Sequence, residues 1–193
     1  MKNKVILSNK AKQFIYGELL GDGCLENISR SSSRFTYASK YLDYVKWLSS
    51  ELNNFGLKQS GKIMQHDNNW GTYYQYKTKC YPELKEIRSK WYTNGKKIVP
   101  KDIKLTPLTC RQWYIGDGSL RHPIDAKPAI VLSTDNFTIC NVELLVNKIN
   151  ILGLKATRYL STNRIYIWAN STKIFLDYIG LCPVNCYKYK WAY

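Results

Sequence analysis

Histidine is almost missing from this sequence, with only His66 and His122 in 193 residues, and no two of its six cysteines form a Cys-x-x-Cys pair. A structural zinc site draws four thiolate or imidazole ligands from close sequence pairs, so these spacings disfavour one. Cys182 and Cys186 are one helical turn apart and nothing more specific. Cys24, Cys80, Cys110 and Cys140 are scattered, which suits reduced thiols better than a disulfide framework. No stretch approaches the roughly 18 apolar residues that span a bilayer. The opening MKNKVILSNK has lysines but no apolar core of a secretory signal, so an intracellular protein is expected. Acidic residues are scarce as well: 14 Asp and Glu stand against 29 Lys and Arg, for a net charge of +15. The basic residues run along the whole length, which favours nucleic acid over a membrane surface as the polyanionic partner.

What is present suffices for a packed core, since 45% of the residues are hydrophobic. Heavy use of Asn, Lys, Ile and Tyr follows codons rich in A and T. That bias points to an organelle, mitochondrion or chloroplast, or to a prokaryotic cytoplasm or mobile element.

The chain is written twice. Tyr16-Gly-Glu-Leu-Leu-Gly-Asp-Gly-Cys-Leu25 matches Gln112-Trp-Tyr-Ile-Gly-Asp-Gly-Ser-Leu120, and Leu52-Asn-Asn-Phe-Gly-Leu-Lys58 matches Ile149-Asn-Ile-Leu-Gly-Leu-Lys155. Near the end of each half come Gly95-Lys-Lys97 and Tyr187-Lys188. Three matches in one order indicate an internal duplication, with halves at 1–93 and 109–193 and a Pro- and Lys-rich linker at 94–108.

Periodicity in each half reads helix, two strands, helix, two strands, helix. The first half predicts helices over Lys10–Gly21, Leu42–Phe55 and Pro82–Tyr92, with hairpins Cys24–Arg30/Ser33–Ser39 and Gly61–His66/Thr72–Thr78. The second predicts helices over Thr106–Gly116, Thr138–Leu152 and Thr172–Leu181, with strands Ser119–Pro123, Pro128–Ser133, Ala156–Leu160 and Arg164–Ala169. Helices segregated to one side of antiparallel strands make an α+β fold with one free sheet face per half.

Gly17 and Gly21 lie on one helical face without side chains, and Gly116 repeats the lower of them, so two such helices can approach closely. Gln112 stands where Gly17 does. Side-by-side packing about a pseudo-twofold would bring Asp22 and Asp117 together at one end. Two converging carboxylates repel unless a cation lies between them, and hard oxygen ligands suit Mg²⁺. A single Gly-Asp-Gly is an ordinary turn whose aspartate caps backbone amides, but its recurrence behind an apolar helix in both halves favours the metal reading.

On these residues, Ile15-Tyr-Gly-Glu-Leu-Leu-Gly-Asp-Gly23 and Cys110-Arg-Gln-Trp-Tyr-Ile-Gly-Asp-Gly118, the chain resembles the single-chain, two-motif LAGLIDADG homing endonucleases of intron-encoded type. The resemblance implies two pseudo-symmetric αββαββα halves whose sheets form a saddle on DNA, with the motif helices packed at the centre. It implies a monomer that hydrolyses one phosphodiester on each strand of a long, asymmetric double-stranded site across the minor groove. It places divalent ions, Mg²⁺ with Mn²⁺ as substitute, at Asp22 and Asp117 beside Gly21 and Gly116. Lys97 and Lys188 then match the basic residues near each scissile phosphate, with Lys96 and Lys190 as neighbouring alternatives. The same fold also serves RNA-splicing maturases and non-cleaving regulators. Tyr114-Ile-Gly116 and Tyr178-Ile-Gly180 resemble half of a GIY-YIG signature, but no Gly-Ile-Tyr partner precedes them.

Strand ribbons of a saddle enter the major groove, where base pairs are distinguishable. Candidate readers are Arg30, Arg34, Tyr37, Gln65, Lys77 and Lys79 in half one. Those in half two are Arg121, Lys127, Ser133, Arg158, Asn163, Arg164 and Tyr166. Alternation in Arg164-Ile-Tyr-Ile-Trp168 turns Ile165 and Ile167 to the helices and Arg164, Tyr166 and Trp168 away from them. Tyr73-Tyr-Gln-Tyr-Lys77 has aromatics on both parities and leaves its face open.

Overall fold

The computed structural model describes residues 3–69, 71–122 and 127–193. The first helix, α1 (Asn9–Leu20), starts at Ser8, whose hydroxyl accepts from the Ala11 amide at 3.1 Å, and stops at Gly21. Strands β1 (Cys24–Ser29) and β2 (Ser32–Ser39) follow, then α2 (Leu42–Asn54), β3 (Met64–Asn68), β4 (Gly71–Lys77) and α3 (Pro82–Trp91). The second half repeats the order: α4 (Pro107–Asp117), β5 (Gly118–Arg121), β6 (Ala129–Leu132), α5 (Ile139–Ile151), β7 (Ala156–Arg158), β8 (Ile165–Ile167) and α6 (Ala169–Ile179). Helices α2 and α5 both run into a glycine with positive φ, Gly56 at 86° and Gly153 at 80°, which the matched Gly-Leu-Lys segments require.

Each half forms one four-stranded antiparallel sheet with the same order, β1-β2-β4-β3 and β5-β6-β8-β7. Burial follows strand parity. In half one Leu25, Phe35, Tyr37 and Tyr76 face the helices, and in half two Ile130, Leu132, Ile165 and Ile167 do. Tyr74 shares the Tyr76 side, so Tyr73, Gln75 and Lys77 belong to the open face. The two sheets are joined through α1 and α4, which form the largest helix–helix contact among the described residues.

Two elements depart from the sequence reading. Residues 92–97 form a short hairpin, Tyr92–Thr93 against Lys96–Lys97, turning at Asn94 (φ 50°) and Gly95 (φ 77°). Two successive left-handed residues are the Asn-Gly signal for a tight hairpin turn, so the expected linker begins inside an ordered hairpin. A 3-10 helix at Asn185–Trp191 ends the chain where no element was expected. The end of the strand predicted to Pro123, and the tip 123–126, lie outside the described residues.

Candidate catalytic centre at the ends of the paired helices

The seam between α1 and α4 is built on missing side chains. A Cβ on Gly17 would lie 2.4 Å from the Thr109 carbonyl oxygen and 2.6 Å from the Gln112 Cβ. The upper contact, which Gln112 in place of a second glycine put in question, forms between Gly17 and that residue. Below it, Gly21 and Gly116 pack backbone to backbone. Asp22 and Asp117 follow directly, one solvent-exposed and the other half-buried.

The two carboxylates are brought into one electrostatic unit. Burial raises Asp117 to about 7, and repulsion from Asp22 adds to it against the pull of Lys97 and Lys190. Asp22 is raised as well, chiefly because protein packs its inner side, and Lys190, Lys97 and the Tyr37 hydroxyl oppose the rise. The pairing crosses between halves: Lys190 of the second half is the stronger cationic neighbour of Asp22, and Lys97 of the first half is that of Asp117. A cavity of about 160 Å³ beside the pair is lined by Leu20, Gly21, Lys97, Asp117, Ser133 and Asp135, among others.

Both lysines are held by main-chain oxygens of their own half's motif. The Lys97 ammonium donates to the Gly21 and Gly23 carbonyls at 3.0 and 2.9 Å. Lys190 donates to the carbonyls of Tyr114, Ile115 and Gly116 at 3.3, 2.5 and 3.3 Å. Burial lowers both amines, Lys190 to about 8, while the aspartates pull the other way. The expectation for Lys188 is therefore corrected. Its side chain is exposed, and the 3-10 turn carries Lys190 to the site instead. Lys96 is likewise exposed, which leaves Lys97 as the first half's basic group. The Gly21 and Gly116 carbonyls, expected beside metal, are engaged by these lysines.

A buried polar node in the seam escaped the sequence reading. Glu18, one turn above Asp22, is 2% exposed, and its Oε1 accepts from Tyr44 Oη at 2.6 Å and Gln112 Nε2 at 2.7 Å. Burial pushes Glu18 up to about 8, against the two hydrogen bonds. A carboxylate inside the otherwise apolar run 14–20 was the available signal.

The candidate readers divide. Arg30 sits exposed at the β1–β2 turn, and Lys79, Arg121 and Lys127 are exposed, with Lys77 partly so. Arg34 and Arg164 are each held by a carboxylate, Glu26 at 2.6 Å and Asp135 at 2.9 Å. Tyr166 lies in an open-face aromatic ladder between Tyr159 and Trp168, at 5.3 and 5.8 Å.

Four readers are corrected, and a fifth, Ser133, is placed beside Asp117. Tyr37 is 2% exposed and packs on Tyr44 on the helix side. Gln65 pairs with Tyr74 and shares that side, so the neighbouring His66, stacked on Tyr73 at 5.0 Å, takes the open face. Arg158 pairs with Ile165, and its ion pair at 2.6 Å is to Glu143 on α5, behind the sheet. Asn163 adopts a left-handed φ of 52° and donates to the Phe137 carbonyl at 2.8 Å, a loop-bracing role. Ser133 donates its amide to the Asp117 carbonyl at 2.9 Å and lines the cavity beside it.

With this geometry in view, comparison with known proteins is specific. Residues 12–175 match the LAGLIDADG DNA endonuclease family. An uncharacterized protein of Methanocaldococcus jannaschii is 27% identical over 150 residues, covering 76% of this chain and 58% of its own, so the chain spans little more than half of that relative. The cytochrome b mRNA maturase bI2 of Debaryomyces hansenii is 26% identical over 199 residues, covering 95% and 74% of the two chains. Among solved structures, the homing endonuclease I-WcaI bound to its DNA recognition sequence superposes with a TM-score of 0.82 at 19% identity, over 98% of this chain and 88% of that one. I-DmoI in complex with DNA and Mn gives 0.51 at 15% identity, over 89% and 99%. At these identities the structural likeness establishes the fold.

Proposed function

Since the chain belongs to the LAGLIDADG DNA endonuclease family, we propose that it is a monomeric, divalent-metal-dependent homing endonuclease that cuts both strands of a long, asymmetric DNA site. The observation that carries this reading is the pair of aspartates at the ends of the packed motif helices, with Lys97 and Lys190 anchored on the main-chain oxygens beside them. The halves 1–93 and 109–193, joined by 94–108, would each lay one sheet's open face in the major groove. A narrow carboxylate pair between them would then sit over the minor groove.

The residues present fit a hard cation. Both carboxyls are raised chiefly by burial, Asp117 further by Asp22, in spite of Lys97 and Lys190 nearby, and Mg²⁺ or Mn²⁺ would relieve this with oxygen coordination. Asp22 and Asp117 would hold it, where it would stabilise charge developing on the attacked phosphodiester. Lys97 and Lys190, already fixed by carbonyls near the aspartates, would offer ammonium groups to that charge. The seam glycines keep the carboxylates together, and the open-face cations Arg30, Lys77, Lys79 and Arg121 hold the duplex in register through its phosphates.

The test is incubation of the native chain with Mg²⁺ and a duplex selected from a randomised pool. Asp22→Asn and Asp117→Asn serve as comparisons, with each strand end-labelled. Cleavage of both strands by the native chain, lost in the variants with binding retained, is expected. Binding without cutting by the native chain would overturn the endonuclease reading.

A second reading, RNA splicing, is favoured by one observation: the maturase relative aligns over 95% of this chain. Stimulated splicing of an intron RNA, in the absence of DNA cleavage, would select it.

A further inference from the structure

The two halves differ behind their aspartates. Counted from each motif aspartate, Cys24 pairs with Thr36 and Ser119 with Val131, so Tyr37 and Leu132 occupy the same inward position. Four residues before the aspartates stand Glu18 and Trp113, both buried. In half two these two positions carry hydrocarbon and an indole. Asp22 is backed by a hydroxyl and a carboxyl, and Tyr187 of the closing 3-10 helix adds a second hydroxyl near it. Nothing comparable stands three residues before Lys97, where the residue is Asn94.

The Tyr37 hydroxyl is the unexplained member of this group. It is fully enclosed yet makes no full hydrogen bond, and it lies near enough to Asp22 to favour the charged carboxylate. Tyr187, its other close neighbour, already shares a bond with Ser39 Oγ at 3.3 Å. A buried hydroxyl without a full bond costs up to about 1–3 kcal/mol, and the carboxylate beside it is the acceptor that can recover that cost.

We propose that Tyr37 is a positioning residue for Asp22 alone, orienting its carboxylate through the phenol hydroxyl, so that the two cleavage centres are chemically unequal. The proposal rests on the endonuclease reading. When the Asp22 carboxylate turns to take a cation, the free hydroxyl can hold its second oxygen, a charge-assisted contact that Leu132 cannot offer Asp117.

The experiment compares the native chain with Tyr37→Phe on a duplex selected from a randomised pool, each strand followed separately. Tyr37→Phe removes one buried oxygen without a full partner, so its melting temperature should stay level or rise and its metal-free DNA affinity should be unchanged. Cleavage of one strand should slow about tenfold while the other keeps its native rate, and nicked duplex should accumulate. Manganese binding followed by electron paramagnetic resonance should show one class of ion weakened. Equal slowing of both strands, unchanged rates on both, or a melting temperature lowered by several degrees would each overturn the proposal. Failure of the native chain to cut at all would overturn the endonuclease reading, and the manganese isotherm would then decide the role of Tyr37 by itself.

Discussion

Gly21 and Gly116 meet across the pseudo-twofold with no side chain between them: a methyl built on either would lie 3.4 Å from the other's Cα. The distance is ordinary contact, so this point of the seam has only a little slack. One turn higher, Gly17 has none, because its missing Cβ would overlap the Thr109 carbonyl at 2.4 Å.

Gly17→Ala should therefore force α1 off α4. The better helix propensity of alanine, about 1 kcal/mol, acts against an overpacking cost of about 1–3 kcal/mol, and the backbone clash puts this site at the upper end. Chemical denaturation should show a net loss for Gly17→Ala and a smaller change for Gly21→Ala. Equal effects at both positions would contradict the contact.

The Asp117 carboxyl, raised to about 7 chiefly by burial, binds its proton more tightly in the folded chain than in the unfolded one. With a folded value above the ordinary carboxylate range, the metal-free protein loses stability as pH climbs from about 4 to about 7. Asp117→Asn removes that titration, so its melting temperature should fall less over the same window than the native chain's. Added Mg²⁺ should raise the native chain's melting temperature most at the upper end. Parallel melting curves for the two proteins across this window would refute the assignment.

Lys190→Met and Lys188→Met separate the two candidates of the closing segment. Loss of a preorganised charge at the phosphate costs about a hundredfold or more in rate, and Lys190 alone contacts the motif. Single-turnover cleavage should collapse in the first variant and change no more than two- to threefold in the second. The reverse order would return the role to Lys188.

Glu18→Leu strands the Tyr44 hydroxyl and the Gln112 amide in the seam, which should cost about 2–4 kcal/mol. Glu18→Leu combined with Gln112→Leu removes both sides of one bond and should recover a good part of that loss. A double variant no more stable than the single one would mean that the node is not a coupled pair.

Arg158 and Lys77 test which face meets DNA. Lys77→Ala should weaken binding and flatten the salt dependence of affinity by about one unit of logarithmic slope. Arg158→Ala removes an ion pair to α5 behind the sheet, so it should touch stability and leave the salt slope alone. A slope changed by Arg158→Ala would place that arginine back on the DNA.

The repeat, the element order and the motif aspartates were legible because they rest on local rules. Apolar spacing marks an amphipathic helix, glycine at a helix end marks its stop, and a recurring Gly-Asp-Gly marks a duplicated turn. Face assignments were legible only where alternation was clean. Ile165 and Ile167 alternate with Arg164 and Tyr166 and read correctly, whereas Tyr73, Tyr74 and Tyr76 put aromatics on both sides of one strand. Arg158 misled because a single charged residue in a short strand carries no parity of its own, and α5 offers it Glu143.

By itself the sequence determined the two-part chain, its helices and strands, and the pair of aspartates, since each depends on residues close in the chain. Tertiary structure alone decided which lysine reaches them, because Lys188 and Lys190 differ only in how a 3-10 turn presents them. It also decided that Glu18 meets Gln112 and that Tyr37 stands behind Asp22. Those contacts join positions 94 and 15 residues apart, and only the packing of one helix on another and of a sheet on both brings such atoms within reach.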